Sequence, residues 1–219
     1  MILAFVSQKG GVGKSTLAVA VAWELQARGD RVLVVDSDPQ ATVRVTGEVA
    51  TENGAPAPSI VALGRDMHRP DQIPLLAQGF DHVVIDTPGR LGDVQRSALM
   101  VADMAVVPVG QSAADAWGIS ETIELIRQAR THRPELRAAL VITRKMPRTT
   151  LGKSAREVLA ASGLELLGAE TTYRVAWQEA LAAGSGPAQY APRDRAALEA
   201  RSLVDELFHP QPERRVANG

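Results

Sequence analysis

The amino-acid sequence predicts an α/β fold: a doubly wound, mostly parallel sheet flanked by helices on both faces. Short runs rich in Val and Ile alternate with helical patterns, and a glycine-rich loop separates the first run from the first helical pattern. The 219 residues, 45% apolar and 22% charged, suit one large globular unit. Strand–helix alternation of this kind winds right-handed and covers both faces of the sheet.

Short apolar runs predict buried strands, because they are rich in β-branched residues and end at polar residues, Gly or Pro. Between the second and third runs, Thr51–Pro58 is the most loop-like internal stretch, and it is too short to link two domains. The predicted strands are Ile2–Val6, Arg31–Asp36, His82–Asp86, Met104–Val109, Ala138–Thr143 and a shorter run at Leu164–Leu167.

The segments between these strands predict helices. Ile119, Ile123 and Ile126 fall on one stripe, as expected of a side that faces the core. Gly29 stands where a helix-ending glycine would. The last segment, His209–Gly219, is expected to be a flexible tail. The predicted helices are Lys14–Arg28, Asp93–Ala102, Gly118–Arg130, Leu151–Ser162 and about Arg193–Phe208.

Composition excludes several functional classes. The chain has no cysteine, which excludes disulfides, thiolate zinc sites and iron–sulfur clusters. No apolar run reaches the roughly 18–20 residues of a membrane span. The apolar start ends after Val6 and has no basic region before it, so no secretory signal is expected. We therefore expect a cytoplasmic protein without a membrane partner.

Charge is distributed unevenly along the chain. The formal net charge is −1, yet residues 127–156 contain nine Lys and Arg and one acid, Glu135, which gives a local charge of +8. The remainder carries 15 basic and 24 acidic residues. A basic segment on an otherwise acidic body is a candidate anion-binding face.

The strongest motif is Gln8–Thr16, QKGGVGKST, which follows the first strand and opens the first helix. Glycines let successive backbone N–H groups turn towards phosphate oxygens, and the helix N-terminus adds partial positive charge. Lys14 would pair with the terminal phosphates, and the Ser15 hydroxyl would bind Mg²⁺. A glycine turn without a ligand is the plain alternative, but the position of Gly-Lys-Ser favours a nucleotide.

Carboxylates follow the next two strands, where a ligand crevice is expected. One strand ends in Asp36-Ser37-Asp38-Pro39 and the next in Asp86-Thr87-Pro88-Gly89. Asp86 is the natural acid of a Mg²⁺ shell, which it would join directly or through water. Of Asp36 and Asp38, one could help to hold the metal while the other orients the attacking water. These sequences also form ordinary turns, although a neighbouring phosphate loop favours the catalytic interpretation.

Lys9 begins the loop, and the general phosphate-loop pattern does not require it. It is either a surface lysine that raises the local potential or a cation supplied in trans to a partner's phosphates, as an arginine finger is. Spacing alone leaves both interpretations open.

These motifs resemble those of the ParA/MinD ATPases. The loop resembles their deviant Walker A motif, Asp36–Gln40 is similar to their Asp-x-Asp-Pro-Gln, and Val83–Pro88 is similar to their Walker B strand. Leu140–Lys145 and Glu179–Gly184 resemble later blocks of small ParA proteins, especially the ParF-like plasmid partition ATPases. The resemblance covers essentially the whole chain and implies one P-loop ATPase domain over residues 1–208.

The resemblance implies a homodimer that sandwiches two ATP molecules, in which Lys9 of each copy reaches the nucleotide of the other. By position, Lys14 then binds phosphates and Asp38 positions the hydrolytic water, so that Lys9, Lys14 and Asp38 form the catalytic set. Metal binding falls to Ser15, Asp36 and Asp86. The residues expected to contact ATP are Lys9, Gly10, Gly11, Val12, Gly13, Lys14, Ser15, Thr16 and, near adenine, Thr143 and Arg144.

The resemblance further implies that the ATP dimer binds double-stranded DNA without sequence preference. A ParB-like partner then stimulates hydrolysis, and the cycle segregates plasmid or chromosomal DNA on the nucleoid. The basic segment supports this interpretation, because Lys and Arg neutralise phosphates independently of sequence, although a solvated helix face would look the same. The expected DNA contacts are Arg148, Lys153, Arg156 and Arg174.

Some relatives are excluded, and two alternatives remain open. Nitrogenase iron proteins and arsenite-pump ATPases need cysteines, and MinD-type proteins end in a basic amphipathic helix, whereas the last predicted helix here mixes charges. We expect no helix-turn-helix before the loop. The same ATPase could instead position a protein cargo, a carboxysome or a chemoreceptor cluster. A metabolic P-loop kinase or synthetase would need an acceptor pocket with its own base, and none is evident.

Overall fold

The computed structural model describes residues 1–90, 92–146 and 151–208. Over these residues the chain forms a seven-stranded sheet whose strand pairs are all parallel, with helices on both faces. The predicted fold class is confirmed. The strands are β1 (Ile2–Phe5), β2 (Val32–Asp36), β3 (Ser59–Ala62), β4 (His82–Asp86), β5 (Met104–Gly110), β6 (Arg137–Lys145) and β7 (Glu165–Thr172).

Strand order brings the predicted motifs to one edge of the sheet. The order is β3-β2-β4-β1-β5-β6-β7, so β1 lies at the point where the connections change direction. In the parallel register Phe5 pairs with Asp86, and Asp36 pairs with Asp86 across the next ladder. The loops that follow β1, β2 and β4 therefore meet at the carboxyl edge, where ligands bind in open α/β sheets.

Helices connect the strands and cover the sheet. A 3₁₀ turn at Ala77–Gly79 directly follows the helix Ile73–Leu76. The helices are α1 (Lys14–Ala27), α2 (Thr42–Glu52), α3 (Ile73–Leu76), α4 (Asp93–Val101), α5 (Ala113–Trp117), α6 (Ser120–Arg130), α7 (Leu151–Ala160), α8 (Val175–Ala182), α9 (Pro187–Tyr190) and α10 (Arg195–Phe208).

The core consists of two layers, one on each face of the sheet. Alternate strand residues point to opposite faces: Phe5 packs in the layer formed with α1 and α10, whereas Ile85 packs in the layer formed with α4 and α6. Both side chains are completely buried. The predicted core-facing stripe is confirmed, since Ile119 and Ile126 are buried and Ile123 packs against the same layer.

Several predicted boundaries were wrong. The stretch predicted as a loop from Thr51 to Pro58 starts inside α2, and both α2 and β3 were missed. The helix predicted from Gly118 begins at Ser120 and follows the separate helix α5, which starts at a capping box of Ser112 and Asp115. The strand predicted at Leu164–Leu167 runs on to Thr172, α8 and α9 were not predicted, and α10 begins at Arg195. The predicted tail lies outside the described residues.

Candidate functional site

The glycine-rich loop joins β1 to α1 and shapes one wall of a cleft of about 610 Å³. Gly13 has φ 96° and precedes α1, a backbone conformation that residues with a Cβ rarely adopt. No side chain caps the start of α1. The first-turn N–H groups of a helix lack intrahelical acceptors, so this end can receive an anion.

Two side chains at the end of β6 donate hydrogen bonds to carbonyls of the phosphate loop. The Thr143 hydroxyl donates to the Val12 carbonyl at 2.8 Å, and the Arg144 guanidinium donates to the Gly11 carbonyl at 2.6 Å. Gly11 and both anchoring residues line the cleft, whereas Val12 does not. The two residues predicted near the adenine therefore also brace the phosphate loop.

Lys14 is buried at the start of α1, with 6% of its surface exposed. Its ammonium donates to the Lys9 carbonyl at 3.4 Å. Burial lowers the pKa of Lys14, and the Asp86 and Asp38 carboxylates oppose that shift. The loop after β4 lies directly against it, since a Cβ added to Gly89 would lie 3.3 Å from the Lys14 ammonium. This cation is placed to meet a phosphate chain in the cleft.

Asp86, the last residue of β4, is fully buried. Neither of its carboxylate oxygens has a hydrogen-bond partner of good geometry among the described residues. Burial raises the pKa of Asp86 from 3.8 to about 7; the Asp36 and Asp38 carboxylates add to this shift, and the Ser15 hydroxyl and Lys14 oppose it. These two neighbours do not offset the cost of burying the charge, and a cation bound beside the carboxylate would reduce it.

Asp36 and Asp38 have different environments although they are two residues apart. Asp36 is buried, and its two oxygens accept the backbone N–H groups of Asp38 at 3.1 Å and Arg44 at 3.0 Å. It therefore fixes the turn between β2 and α2. Asp38 lines the cleft and accepts the Gln40 N–H at 2.9 Å. Within the described residues, no three acids or histidines are grouped so as to hold a metal by themselves.

Lys9 lies at the loop but does not line the cleft. Its ammonium forms an ion pair with Asp115 of α5, and about half of the lysine side chain is exposed. Asp115 also takes part in the α5 capping box, accepting the Ser112 hydroxyl at 2.6 Å. In this chain Lys9 is thus held by its own subunit and does not contact the cleft.

The end of β7 and the residues that follow it form another part of the cleft wall. Thr171, Thr172, Tyr173, Arg174 and Trp177 line it. Arg144 lies over the Tyr173 ring, 5.6 Å from its centroid. Of these residues, sequence motifs indicated only Arg144, near the adenine, and Arg174, as a DNA contact.

Gln95 of α4 is a further residue that the sequence did not reveal. It is fully buried, and its amide donates to the Ser7 carbonyl at 3.2 Å and to the Pro88 carbonyl at 2.6 Å. The side chain thereby ties the residue before the phosphate loop to the loop after β4. A glutamine inside a helix carries no local signal of such a bridge.

The predicted DNA contacts do not form one free basic surface among the described residues. Arg156 lies near Glu170 at 3.9 Å and donates to the Leu167 carbonyl, and Arg174 pairs with Glu199 at 3.3 Å. Arg148 lies outside the described residues, and the side chain of Lys153 is not described. Other basic residues of the segment have acidic partners as well, as in the pairs Arg127–Glu124, Arg137–Glu165 and Lys145–Glu170.

No helix among the described residues has the length and apolar character needed to cross a membrane.

Comparison with known proteins identifies relatives that match nearly the whole chain. The family model of the CobQ/CobB/MinD/ParA nucleotide-binding domain matches residues 3–188. The chain is 32% identical over 209 residues to the maintenance of carboxysome distribution protein A of Halothiobacillus neapolitanus, with 94% of this chain and 95% of that protein covered. It is 29% identical to the chromosome-partitioning ATPase Soj of Thermus thermophilus, with 94% of both chains covered.

The fold is shared with a solved nucleotide complex. The septum site-determining protein MinD of Pyrococcus horikoshii, complexed with Mg-ADP, superposes with a TM-score of 0.74 at 20% identity, covering 95% of this chain and 96% of that one.

Proposed function

Because the chain belongs to the CobQ/CobB/MinD/ParA family of nucleotide-binding proteins, we propose that it is a Mg²⁺-dependent ATPase of the ParA type. It dimerises around ATP, binds DNA without sequence preference and segregates plasmid or chromosomal DNA with a ParB-like partner that stimulates hydrolysis. Residues 1–208 act as one ATPase domain in the cytoplasm, on the nucleoid. The observation that carries the ATPase assignment is the buried Asp86 carboxylate beside Lys14 and Ser15, whose negative charge these neighbours do not fully offset.

Asp86 fits a site for Mg²⁺ bound together with a nucleotide. Ser15 and Asp86 would hold the ion, directly or through water, and Asp36 would support them by fixing the turn. Mg²⁺ is usually held by one or two carboxylates together with substrate phosphates, which agrees with a site of few acids. When bound, the ion would neutralise the charge that develops on the transferred phosphoryl group.

Chain residues supply the remaining chemistry. The loop N–H groups and Lys14 bind the phosphates, because this cation is buried against the loop. Asp38 lines the cleft with one oxygen committed to the Gln40 N–H, which fixes the carboxylate. It is suited to orient the attacking water at the terminal phosphate.

Two cargoes fit this mechanism. The 29% identity to Soj favours DNA, whereas the 32% identity to the carboxysome distribution protein over nearly the whole length favours positioning of a protein cargo on the nucleoid. ATPase assays with the centromere-binding or cargo-adaptor protein encoded nearest this gene would discriminate them, since only the true partner should stimulate turnover. A metabolic kinase or synthetase would instead require a small acceptor and ignore DNA.

The central test is DNA retention with Mg·ATP, with Mg·ADP and without nucleotide. We expect retention only with ATP, and we expect it to weaken steeply with salt because phosphate neutralisation releases counterions. The pair Arg156–Glu170 is partly exposed, and ion pairs of this kind contribute only about 0–1 kcal/mol. A DNA phosphate can therefore replace the acid. Equal retention in all three states would contradict the proposed switch.

A matched pair of double variants tests where DNA binds. Lys153→Ala/Arg156→Ala removes two cations from α7, beside β6 and β7, whereas Arg65→Ala/Arg69→Ala removes two exposed cations beyond β3, at the opposite edge of the sheet. We expect the α7 variant to lose about tenfold in ATP-dependent affinity and the other to match the wild type. Equal effects of both variants would place the contacts elsewhere.

The Lys9–Asp115 pair predicts opposite effects on dimer formation. Lys9→Ala should bind ATP as the wild type does but remain monomeric, because the trans cation is missing. Asp115→Asn releases the lysine from its own subunit, so the ATP dimer should form at a protein concentration about threefold lower, a gain typical of one partly exposed ion pair. Light scattering with saturating Mg·ATP measures both, and a Lys9→Ala dimer of normal strength would refute the trans role.

A further inference from the structure

Glu199 of α10 contacts the cleft wall formed by the end of β7 and the residues that follow it, although it does not line the cleft. One of its carboxylate oxygens accepts the Thr172 hydroxyl at 2.6 Å and the Arg174 guanidinium at 3.3 Å. The other accepts the Thr172 backbone N–H at 2.9 Å and the Trp177 indole N–H at 3.4 Å. Three cleft-lining residues thus donate to one carboxylate.

The cleft lined by the phosphate loop continues to this wall. With the phosphates of a nucleotide at the loop before α1, the rest of the cleft would receive the nucleoside attached to them. That wall includes Thr172, Arg174 and Trp177. The hydrogen bonds to Glu199 hold it from behind, and the carboxylate is largely shielded from solvent, with 16% of the side chain exposed. Hydrogen bonds to a charged acceptor are stronger than neutral ones, more so away from water.

We propose that Glu199 is a positioning residue for the nucleoside end of the bound nucleotide. It acts through Thr172, Arg174 and Trp177, whose backbone and side chains it keeps in a binding-competent arrangement before the ligand arrives. Such preorganisation contributes to affinity because the wall need not be ordered on binding. The inference rests on the proposed nucleotide site and adds a residue on the last helix to it.

The test compares Glu199→Gln with Glu206→Gln. A carboxamide keeps the shape but presents one acceptor oxygen, so two of the four donors to residue 199 lose their partner. Glu206 lies two turns further along α10 and also accepts N–H groups of β7, from Gly168 at 2.7 Å and Ala169 at 2.6 Å, which do not line the cleft. It is therefore a control for damage to the contact between helix and strand.

Calorimetry should measure the binding of a non-hydrolysable Mg·ATP analogue and of Mg·tripolyphosphate, which lacks the nucleoside. We expect Glu199→Gln to weaken analogue binding about tenfold and to leave tripolyphosphate binding unchanged, with KM for ATP raised and kcat within about twofold of the wild type. Glu206→Gln should keep wild-type affinity for both ligands. Should Glu199→Gln fail to fold, Thr172→Val, which removes one donor, should show the same pattern on a smaller scale.

Three outcomes would overturn the proposal: unchanged analogue affinity in Glu199→Gln, equal losses for the analogue and tripolyphosphate, or equal losses in the Glu206 control. Failure of the proposed function is distinct, because wild-type protein would then bind neither ligand.

Discussion

Replacement of Gly184 by alanine should lower the free energy of unfolding by about 3–5 kcal/mol and the melting temperature by roughly 10 °C. Gly184 ends α8 with φ 73°, and its N–H and that of Ser185 close the turn on the carbonyls of Leu181 and Ala180. A Cβ here would lie 2.6 Å from the Ala50 Cα and 2.8 Å from the Val49 carbonyl carbon. Both are backbone atoms of α2, so the helices must separate. Thermal and urea unfolding measure the loss.

Gly29→Ala is the matched control. Gly29 ends α1 with φ 100° and the same pair of closing hydrogen bonds, but a Cβ there would meet nothing within 4 Å. It should cost only the left-handed strain, about 1 kcal/mol. The effect of alanine on the unfolded chain is the same in both variants and cancels in their comparison. Similar losses in the two variants would show that α2 and α8 are not in close contact at this point.

The central strands could be predicted because a strand buried on both faces consists of consecutive apolar residues. His82–Asp86 has the bounds that the sequence predicted. The same logic fails at the edge of the sheet: Ser59–Ala62 is partly exposed and too short to stand out. Helix α2 contains threonines and Gly47, which are poor helix formers, and it forms because residues such as Val43 and Ala50 are buried against the core.

The candidate site likewise contains residues that the sequence predicted and residues that it did not. Local motifs indicated Lys14, Ser15 and Asp86, because a phosphate loop and strand-end carboxylates have characteristic spacing. Asp115 and Glu199 have no such signal, since each acts on residues distant in the chain; 106 positions separate Lys9 from Asp115. The net charge of residues 127–156 was likewise an incomplete guide to the surface charge. Two acids outside this segment, Glu165 and Glu170, pair with its cations.

Asp86→Asn should reduce ATP turnover at least about 100-fold while leaving the metal-free protein as stable as the wild type or more so at pH 8. The asparagine keeps the shape but cannot supply the negative charge that a cation needs. Without metal, the wild type buries a carboxylate whose charge Ser15 and Lys14 offset only in part, and the variant removes that cost. Steady-state hydrolysis and thermal unfolding in EDTA measure the two effects.

Asp86 also makes the stability of the metal-free protein depend on pH. The pKa of Asp86 is about 7 in the folded protein against 3.8 ordinarily, so between about pH 4 and pH 7 the folded state holds a proton that the unfolded chain has released. This contribution makes the metal-free wild type less stable as pH rises through that window, and Asp86→Asn should lack it.

Asp36→Asn is the contrasting control for that prediction. Asp36 is the register neighbour of Asp86, and it is also buried, but both of its oxygens accept backbone N–H groups. An amide there leaves one N–H without an acceptor, which should cost about 1–3 kcal/mol at pH 8. Two adjacent buried aspartates should therefore respond with opposite sign to the same substitution. If Asp86→Asn were destabilised as much as Asp36→Asn in EDTA, Ser15 and Lys14 would fully offset the Asp86 charge, and the carboxylate would need no cation.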